Sequence, residues 1–359
     1  MSLALVCATL EMSAQANEGE LISRRGSVRL MPVFQRWSMQ GGADFSEVSV
    51  ALSLVQPIGR QASFTLRGAG ASASGDVPSL KGLADAQLGL NYYWEATHLL
   101  FSLGFNLPSG HKELTSDEFQ TSLVLSNSVF DMSVPSFGTG VNINPGVIWA
   151  FRVNDNFSTG LGVSYQRKGT FKPAKGLGDY DPGDEVLLTT GVDIKLAEAT
   201  TFSVDAIFTT FGKDKLNGKD VFASGNKIVM NAQFRKHFGF DQLWLLLRYR
   251  SKAKNEFAVG NTFFPEPEKL EPDNIEARAI YTIRFSEHVS LGIMAEGRFY
   301  KETPALFSGI KLFGFGVMPE FSLSPDVSIP IRLRIQHGST KGGKTVTGVD
   351  AGLGITFGI

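Results

Sequence analysis

The stretch that decides the fold is Phe157–Lys168, which reads FSTGLGVSYQRK. Its side chains alternate with a period of two, which is the spacing of a β-strand. One face carries the larger and more apolar groups, at Phe157, Thr159, Leu161, Val163 and Tyr165. The other face carries only small or polar groups, at Ser158, Gly160, Gly162, Ser164, Gln166 and Lys168. The segment therefore predicts a strand with one apolar face and one polar, water-facing face.

The same two-faced pattern returns at 185–196 and 327–336, and it persists from Val28 to Ile359. A long chain made of such strands needs an apolar exterior and a hydrated interior. That arrangement is typical of a transmembrane antiparallel up-and-down β-barrel, so the predicted fold class is all-β. A soluble β-sandwich would also alternate, but it would not place an outward apolar stripe on every strand.

Composition agrees with one large closed sheet. The chain has 359 residues, a formal net charge of -1, 39 glycines and 28 phenylalanines. Small residues suit a lumen and phenylalanines suit a lipid-facing belt, whereas a near-neutral charge argues against a nucleic-acid partner. No run reaches the roughly 18 consecutive apolar residues of a membrane helix. Since no linker is evident, residues 17–359 are predicted to be a single outer-membrane barrel domain.

The first sixteen residues have the features of a signal peptide. An apolar run from Leu3 to Leu10 is followed by Ala14-Gln15-Ala16, a small-x-small pattern that favours cleavage before Asn17. Met1 and Ser2 supply no positive charge, so we expect the true start to lie upstream. Cys7 is a weaker candidate for lipidation because the large Val6 precedes it. Cleavage would leave the mature chain without cysteine.

Seven tight polar turns alternate with eight longer connections, which implies about sixteen strands, with fourteen as the alternative. Such alternation is typical of bacterial outer-membrane barrels, in which the long loops are external. The predicted partners are therefore outer-membrane lipid and lipopolysaccharide. The final strand, Leu353–Ile359, resembles the signal by which outer-membrane proteins engage the barrel assembly machinery, although that signal most often ends in Phe.

The third long loop, residues 111–135, breaks the β pattern. Glu113–Leu125 reads as a helix, and Thr115 followed by Glu118 forms a capping box. Apolar residues from Leu114 to Phe130 form a stripe too large to leave in water. We expect this loop to fold into the barrel mouth or lumen, and a helix lying across the outer rim is the alternative.

The polar faces of the C-terminal strands bring many arginines into the predicted interior. Acidic residues, among them Glu276, Glu296 and Asp350, are interleaved with them and predict ion pairs. The predicted pore-lining and constriction residues are Glu113, Asp117, Glu118, Arg235, Arg248, Arg250, Arg278, Arg298, Arg332 and Arg334. The loop acids would face a basic wall and select polar or anionic solutes. The alternative is that the arginines only solvate and brace the lumen.

A local resemblance covers roughly Leu80 to Ala150. Gly104-Phe105-Asn106-Leu107-Pro108-Ser109-Gly110, followed by the acidic helix and by 137–146, resembles outer-membrane transporters of the phenol-degradation pathway group, relatives of the long-chain fatty-acid transporter superfamily. The resemblance implies inward diffusion of small, hydrophobic or aromatic compounds. The N-terminal plug of that family is not evident. The predicted lumenal arginines also differ from the apolar passage expected of a transporter for hydrophobic compounds. Both points favour a porin-like conduit for small-molecule solutes.

Other classes of function find less support. Neither Gly-x-Ser-x-Gly nor His-Glu-x-x-His occurs, so the chain is predicted not to be an enzyme and to need no cofactor and no metal. An adhesive or structural barrel would need larger external loops than 111–135 and 256–273. The sequence does not decide whether the barrel forms a homo-oligomer, because it shows no flat apolar surface that would serve as a subunit interface.

Overall fold

The computed structural model describes residues 25–359 except Lys112, Asn261 and Leu306. The predicted signal peptide lies outside the described residues. The one α-helix of this part of the chain, α1, spans Ser116–Leu125, and a short 3-10 turn spans Glu95–Thr97. The strands are β1 Ser27–Met39, β2 Phe45–Ile58, β3 Ala62–Gly75, β4 Leu80–Leu83, β5 Ala86–Trp94, β6 Leu99–Leu107, β7 Asn142–Asn154, β8 Phe157–Lys168, β9 Tyr180–Asp181, β10 Glu185–Ala197, β11 Thr200–Phe211, β12 Lys213–Leu216, β13 Lys219–Ala223, β14 Lys227–Phe238, β15 Asp241–Lys252, β16 Glu256–Val259, β17 Thr262–Pro265, β18 Asn274–Arg284, β19 Val289–Tyr300, β20 Lys311–Ser324, β21 Val327–Ser339, β22 Thr345–Leu353 and β23 Ile355–Gly358.

Eighteen of these segments form one sheet. It closes on itself, because β1 pairs antiparallel with both β22 and β23, for example Phe34 with Ala351 and Val28 with Phe357. Two barrel strands are each interrupted once, between β4 and β5 and between β22 and β23. Counting each interrupted strand once, the described residues form a closed antiparallel barrel of sixteen strands, which confirms the predicted fold.

The two faces of the sheet differ as the sequence predicts. Leu161, Val163 and Tyr165 on β8 are 56, 44 and 40% exposed. On the C-terminal strands, Phe315 and Ile335 are also exposed, whereas Arg334 on the opposite face is buried. A sheet with bare aliphatic groups outside and charged groups inside is stable when lipid covers the outside. The chain is therefore a transmembrane β-barrel of the outer-membrane type.

Short turns join the strands at one end of the barrel. Between β14 and β15 the turn has two residues, and Gly239 adopts φ +66°, a conformation that glycine favours. At the other end lie the long connections, which contain α1 and a second sheet. This five-stranded sheet has the order β17-β16-β13-β12-β9. These short strands lack the extended alternating pattern by which the barrel strands are predicted from the sequence.

No helix of the described residues is long and apolar enough to cross a membrane.

Candidate functional site

The loop between β6 and β7 begins with a well-defined helix. The Thr115 backbone N–H donates to Glu118 Oε2 at 2.8 Å, and the Glu118 N–H donates to Thr115 Oγ1 at 3.3 Å. The predicted capping box is therefore present. The hydrogen bond from the Thr115 backbone lowers the pKa of Glu118 and holds the carboxylate in its charged form.

The chain after α1 enters the lumen and is anchored there by Phe130, which is fully buried. The Phe130 ring makes edge contacts with Trp37, Phe45 and Phe307, with centroid distances of 5.4, 4.9 and 5.0 Å. These partners belong to β1, to β2 and to the loop before β20. Leu125 and Ile310 are also fully buried in the same apolar cluster. The anchor thus fixes the loop by packing on both sides of the barrel seam.

Hydrogen bonds from the wall hold residues 128–134, which we call the loop tip. Tyr300 Oη donates to the Ser128 carbonyl at 2.9 Å, and Arg298 donates to the Val129 carbonyl at 3.0 Å. On the other side, Gln35 donates to the Asp131 carbonyl at 3.1 Å and accepts from the Ser133 N–H at 2.7 Å. Since these partners lie on the charged face of the sheet, the loop tip is inside the lumen. The predicted insertion of the loop is confirmed.

An ion-pair network, which we call the arginine belt, meets the loop tip at β19, β21 and β22. Arg334 lies 3.1 Å from Asp131, 3.0 Å from Asp350 and 3.4 Å from Glu296. Arg332 forms a bidentate pair with Asp350, with both distances 2.9 Å. Such a pair fixes the guanidinium plane as well as its charge.

The belt continues onto β18 and β15. Arg278 lies 3.3 Å from Glu296 and 2.8 Å from Glu276. Glu276 also pairs with Arg248 at 3.7 Å and with Arg250 at 3.9 Å. One buried carboxylate therefore contacts three arginines.

Glycine on β20 allows the belt to cross that strand. A Cβ atom at Gly314 would lie 2.6 Å from Glu296 Cγ, which is closer than real contacts permit. The side chain of Glu296, on β19, thus occupies the space over Gly314 and reaches Arg334 on β21. The arrangement brings charged groups from strands that are not direct neighbours into one network.

Exposure separates the belt residues that solvent can reach from those that only brace the wall. The side chain of Asp131 is 51% exposed and that of Arg332 is 35% exposed, whereas that of Arg334 is only 6% exposed. Solutes in the lumen would therefore meet Asp131 and Arg332 directly. Arg334 does not contact the solutes, and its charge reaches them only past the Asp131 carboxylate.

The structure brings together six of the predicted arginines, Arg248, Arg250, Arg278, Arg298, Arg332 and Arg334. Arg235 lies further along β14, opposite Trp244, and forms no ion pair with the described residues. Within the part of the chain that the structure describes, the loop acids form no ion pair with the arginines of the belt. Glu113 pairs with Lys172 at 3.5 Å, Glu118 caps α1, and Asp117 is exposed on the first turn of α1. A pore-lining role for these three acids stays a prediction.

Asp131 is the acid that reaches the belt, and the sequence analysis did not single it out. It adopts φ +49°, a left-handed conformation that Asp tolerates better than most residues. This reversal turns its carboxylate away from the apolar anchor. A single charge inside the apolar run Val129-Phe130-Asp131-Met132 was the signal in the sequence that could have identified Asp131.

The described residues contain no group of three or more His, Cys, Asp or Glu that could hold a metal ion.

No protein-family model matches the sequence, and no curated protein does. Several solved outer-membrane channels are similar in structure. OpdQ of Pseudomonas aeruginosa is 12% identical with a TM-score of 0.46, over 94% of this chain and 100% of that one. A mutant of TodX, described as a monoaromatic hydrocarbon channel, is 10% identical with a TM-score of 0.48, over 93% and 91%. An anion-selective porin from Comamonas acidovorans is 10% identical with a TM-score of 0.43, over 93% and 100%.

Proposed function

We propose that the chain is an outer-membrane channel through which small polar solutes diffuse passively, with a preference for anions. The observation that carries this proposal is the loop tip inside the lumen, bonded to the arginine belt through Asp131 and Arg334. A loop that narrows a water-filled barrel beside fixed charges sets both the size and the charge of what passes. A purely structural barrel has no need of such an arrangement.

The sign of the preference follows from the charges on the lumenal face. The register of the sheet places fifteen cationic side chains on this face: Arg29, Arg67, Arg152, Lys168, Lys195, Lys227, Arg235, Arg248, Arg250, Lys252, Arg278, Arg284, Arg298, Arg332 and Arg334. The carboxylates, counting Asp131 of the loop tip, are Glu47, Asp131, Glu185, Asp193, Asp205, Glu276, Glu296, Glu320 and Asp350. Fifteen positive groups against nine negative ones leave an excess of positive charge. Fixed charge of one sign in a narrow, partly dehydrated passage attracts ions of the other sign. A modest preference for anions is expected.

Reversal potentials across planar bilayers in a KCl gradient test the proposal. The folded protein should give steady single-channel steps and select chloride over potassium. Arg332→Ser should lower the selectivity, because this guanidinium is exposed in the lumen. Arg36→Ser is the matched control, since Arg36 lies on the outer face and is 60% exposed. Absence of channels in the wild type, or an unchanged reversal potential in Arg332→Ser, would contradict the proposal.

A second candidate is a transporter of small hydrophobic or aromatic compounds. Two observations favour it. The Leu107–Gly110 element ends β6 and is fixed by Ser109 Oγ, which accepts from the Ala86 N–H at 2.8 Å. An apolar cluster also fills part of the lumen around Trp37 and Phe45. Uptake of a labelled aromatic hydrocarbon without measurable ion conductance would favour this candidate over the porin-like channel.

A further inference from the structure

A small basic cavity lies at the long-loop end of the lumen, between the loop tip and the wall. Its volume is about 40 Å³, and it is lined by Ser128 from the loop tip and by Lys227, Arg250 and Lys252 from β14 and β15. Glu271, from the loop before β18, also lines it. The cavity has room for a few water molecules or for a group the size of a carboxylate.

The cations around this cavity are under-neutralised. Lys252 pairs with Glu271 at 3.0 Å, but the Glu271 side chain is 46% exposed, so water screens its charge. Lys227 forms no ion pair with any residue that the structure describes. Among the described residues, Arg250 forms an ion pair only with the shared Glu276, at 3.9 Å, and its buried Nε has no hydrogen-bond partner.

The register of the sheet makes this cluster costly. Lys227 and Lys252 are direct cross-strand partners on β14 and β15. Like charges directly opposite each other destabilise a sheet. An anion in the cavity would relieve this repulsion.

We propose that Lys227, Lys252 and Arg250 form a docking site for the oxyanion group of a small solute, a carboxylate in the first instance. This inference rests on the proposed channel function and adds an entry site to it. Arg250 belongs both to the cavity and to the arginine belt. A solute held at the mouth would therefore be positioned to move on to Arg278 and Arg332 along a path of positive charge.

Thermal unfolding of the folded protein in detergent tests the site without depending on conductance. Sodium acetate should raise the Tm above that in sodium chloride of equal concentration, because a ligand that binds the native state stabilises it. Lys227→Gln should raise the Tm in chloride by removing repulsion, and it should abolish the additional effect of acetate. Lys195→Gln is the matched control and should behave like the wild type, because Lys195 lies on β10 near the short-turn end of the barrel, away from the cavity.

Bilayer recordings then connect the site to transport. In potassium acetate the wild-type conductance should saturate with concentration, and Lys227→Gln should raise the half-saturation concentration at least fivefold. An acetate effect on Tm that Lys227→Gln leaves intact, or that Lys195→Gln also removes, would overturn the docking site. Acetate stabilisation that depends on Lys227 in a protein without conductance would instead keep the site and reject the channel function.

Discussion

At the scale of single residues, Asp131 decides how much of the positive charge of Arg334 a solute meets. Its carboxylate is exposed and lies 3.1 Å from Arg334, which is itself almost fully covered. Asp131→Asn should therefore increase the preference for anions. A charge about 6 Å from the path contributes roughly 0.7 kcal/mol in water, with opposite sign for chloride and for potassium, so the chloride-to-potassium permeability ratio should rise about tenfold.

The comparison for this variant is Asp117→Asn, which removes the same charge from the exposed first turn of α1. Reversal potentials in a KCl gradient measure both. A larger effect from Asp117 than from Asp131 would show that the acids chosen from the sequence line the constriction.

The choice of Glu113, Asp117 and Glu118 depended on the predicted helix. The capping box predicts the helix well but does not show where the following chain turns. Asp131 is placed by a left-handed backbone conformation and by Gln35 and Arg334, which lie 96 and 203 residues away along the chain.

Gly314 is a second residue on which the belt depends. Gly314→Val would place side-chain atoms where Glu296 crosses β20, with the Cβ only 2.6 Å from Glu296 Cγ. Displacing a buried carboxylate from Arg334 leaves charges unpaired, and overpacking alone costs about 1–3 kcal/mol. Urea unfolding in detergent should show this loss. Gly342→Ala has open space around it and should be neutral; equal stability of the two variants would exclude the close-packing explanation.

At the scale of elements, the inserted loop combines one predictable feature with one that no local pattern shows. The helix was predicted as Glu113–Leu125 and is found at Ser116–Leu125. It begins directly after Thr115 because the capping box of Thr115 and Glu118 fixes the helix start locally. The anchor at Phe130 depends on Trp37, Phe45 and Phe307, which come from distant parts of the chain. Trp244 on β15 faces the lumen, where its indole N–H donates to Gln233 Oε1 at 3.3 Å.

Phe130→Ala should release the loop tip from its anchor. A buried Phe→Ala change removes about 3–5 kcal/mol of packing, which is comparable with what the remaining hydrogen bonds of the loop tip contribute. Single-channel currents should become noisier, with a higher mean conductance. Leu123→Ala is the matched control, because Leu123 on α1 is 57% exposed. Steady wild-type currents from Phe130→Ala would mean that the hydrogen bonds alone hold the loop.

The start of α1 should respond to acid. The folded-state pKa of Glu118 is lowered, so its contribution to stability is present above the unfolded pKa and is lost as the pH falls through the folded value. The protection factors of the first-turn amides, which are exchange rates corrected for the intrinsic pH dependence of amide exchange, should therefore fall below about pH 4.5. Glu118→Gln removes the ionisation, so its protection factors should show no such fall. An equal dependence in both proteins would assign the effect to other carboxylates.

At the scale of the whole molecule, the barrel is the part of the structure that the sequence predicts best. Every barrel strand repeats the same alternation, so errors at single positions do not change the fold. Interruptions such as Ala84-Asp85 were not predicted. There the break turns Asp85 towards the Gly110 and Thr139 N–H groups, at 3.0 and 2.6 Å. Contacts of this kind join segments that are far apart in sequence, and the period-two pattern contains no information about them.

Closure of the barrel makes a specific prediction about the seam. Ser38 on β1 lies opposite Thr347 on β22. Directly opposite residues of an antiparallel pair have Cα atoms about 4.5–5.5 Å apart, which is within the range of a disulfide. In a chain that carries Cys7→Ser, the Ser38→Cys and Thr347→Cys pair should therefore oxidise after folding in membranes.

The oxidised protein should then resist unfolding, because the bond joins the first and last strands into a covalent ring and limits the unfolded chain. Its band in denaturing electrophoresis should shift only without reductant. Pairing Ser38→Cys with Val346→Cys is the control, since Val346 is one residue out of register and its side chain lies on the opposite face. Efficient oxidation of the control pair, or none in the matched pair, would mean that the first and last strands do not close the sheet in this register.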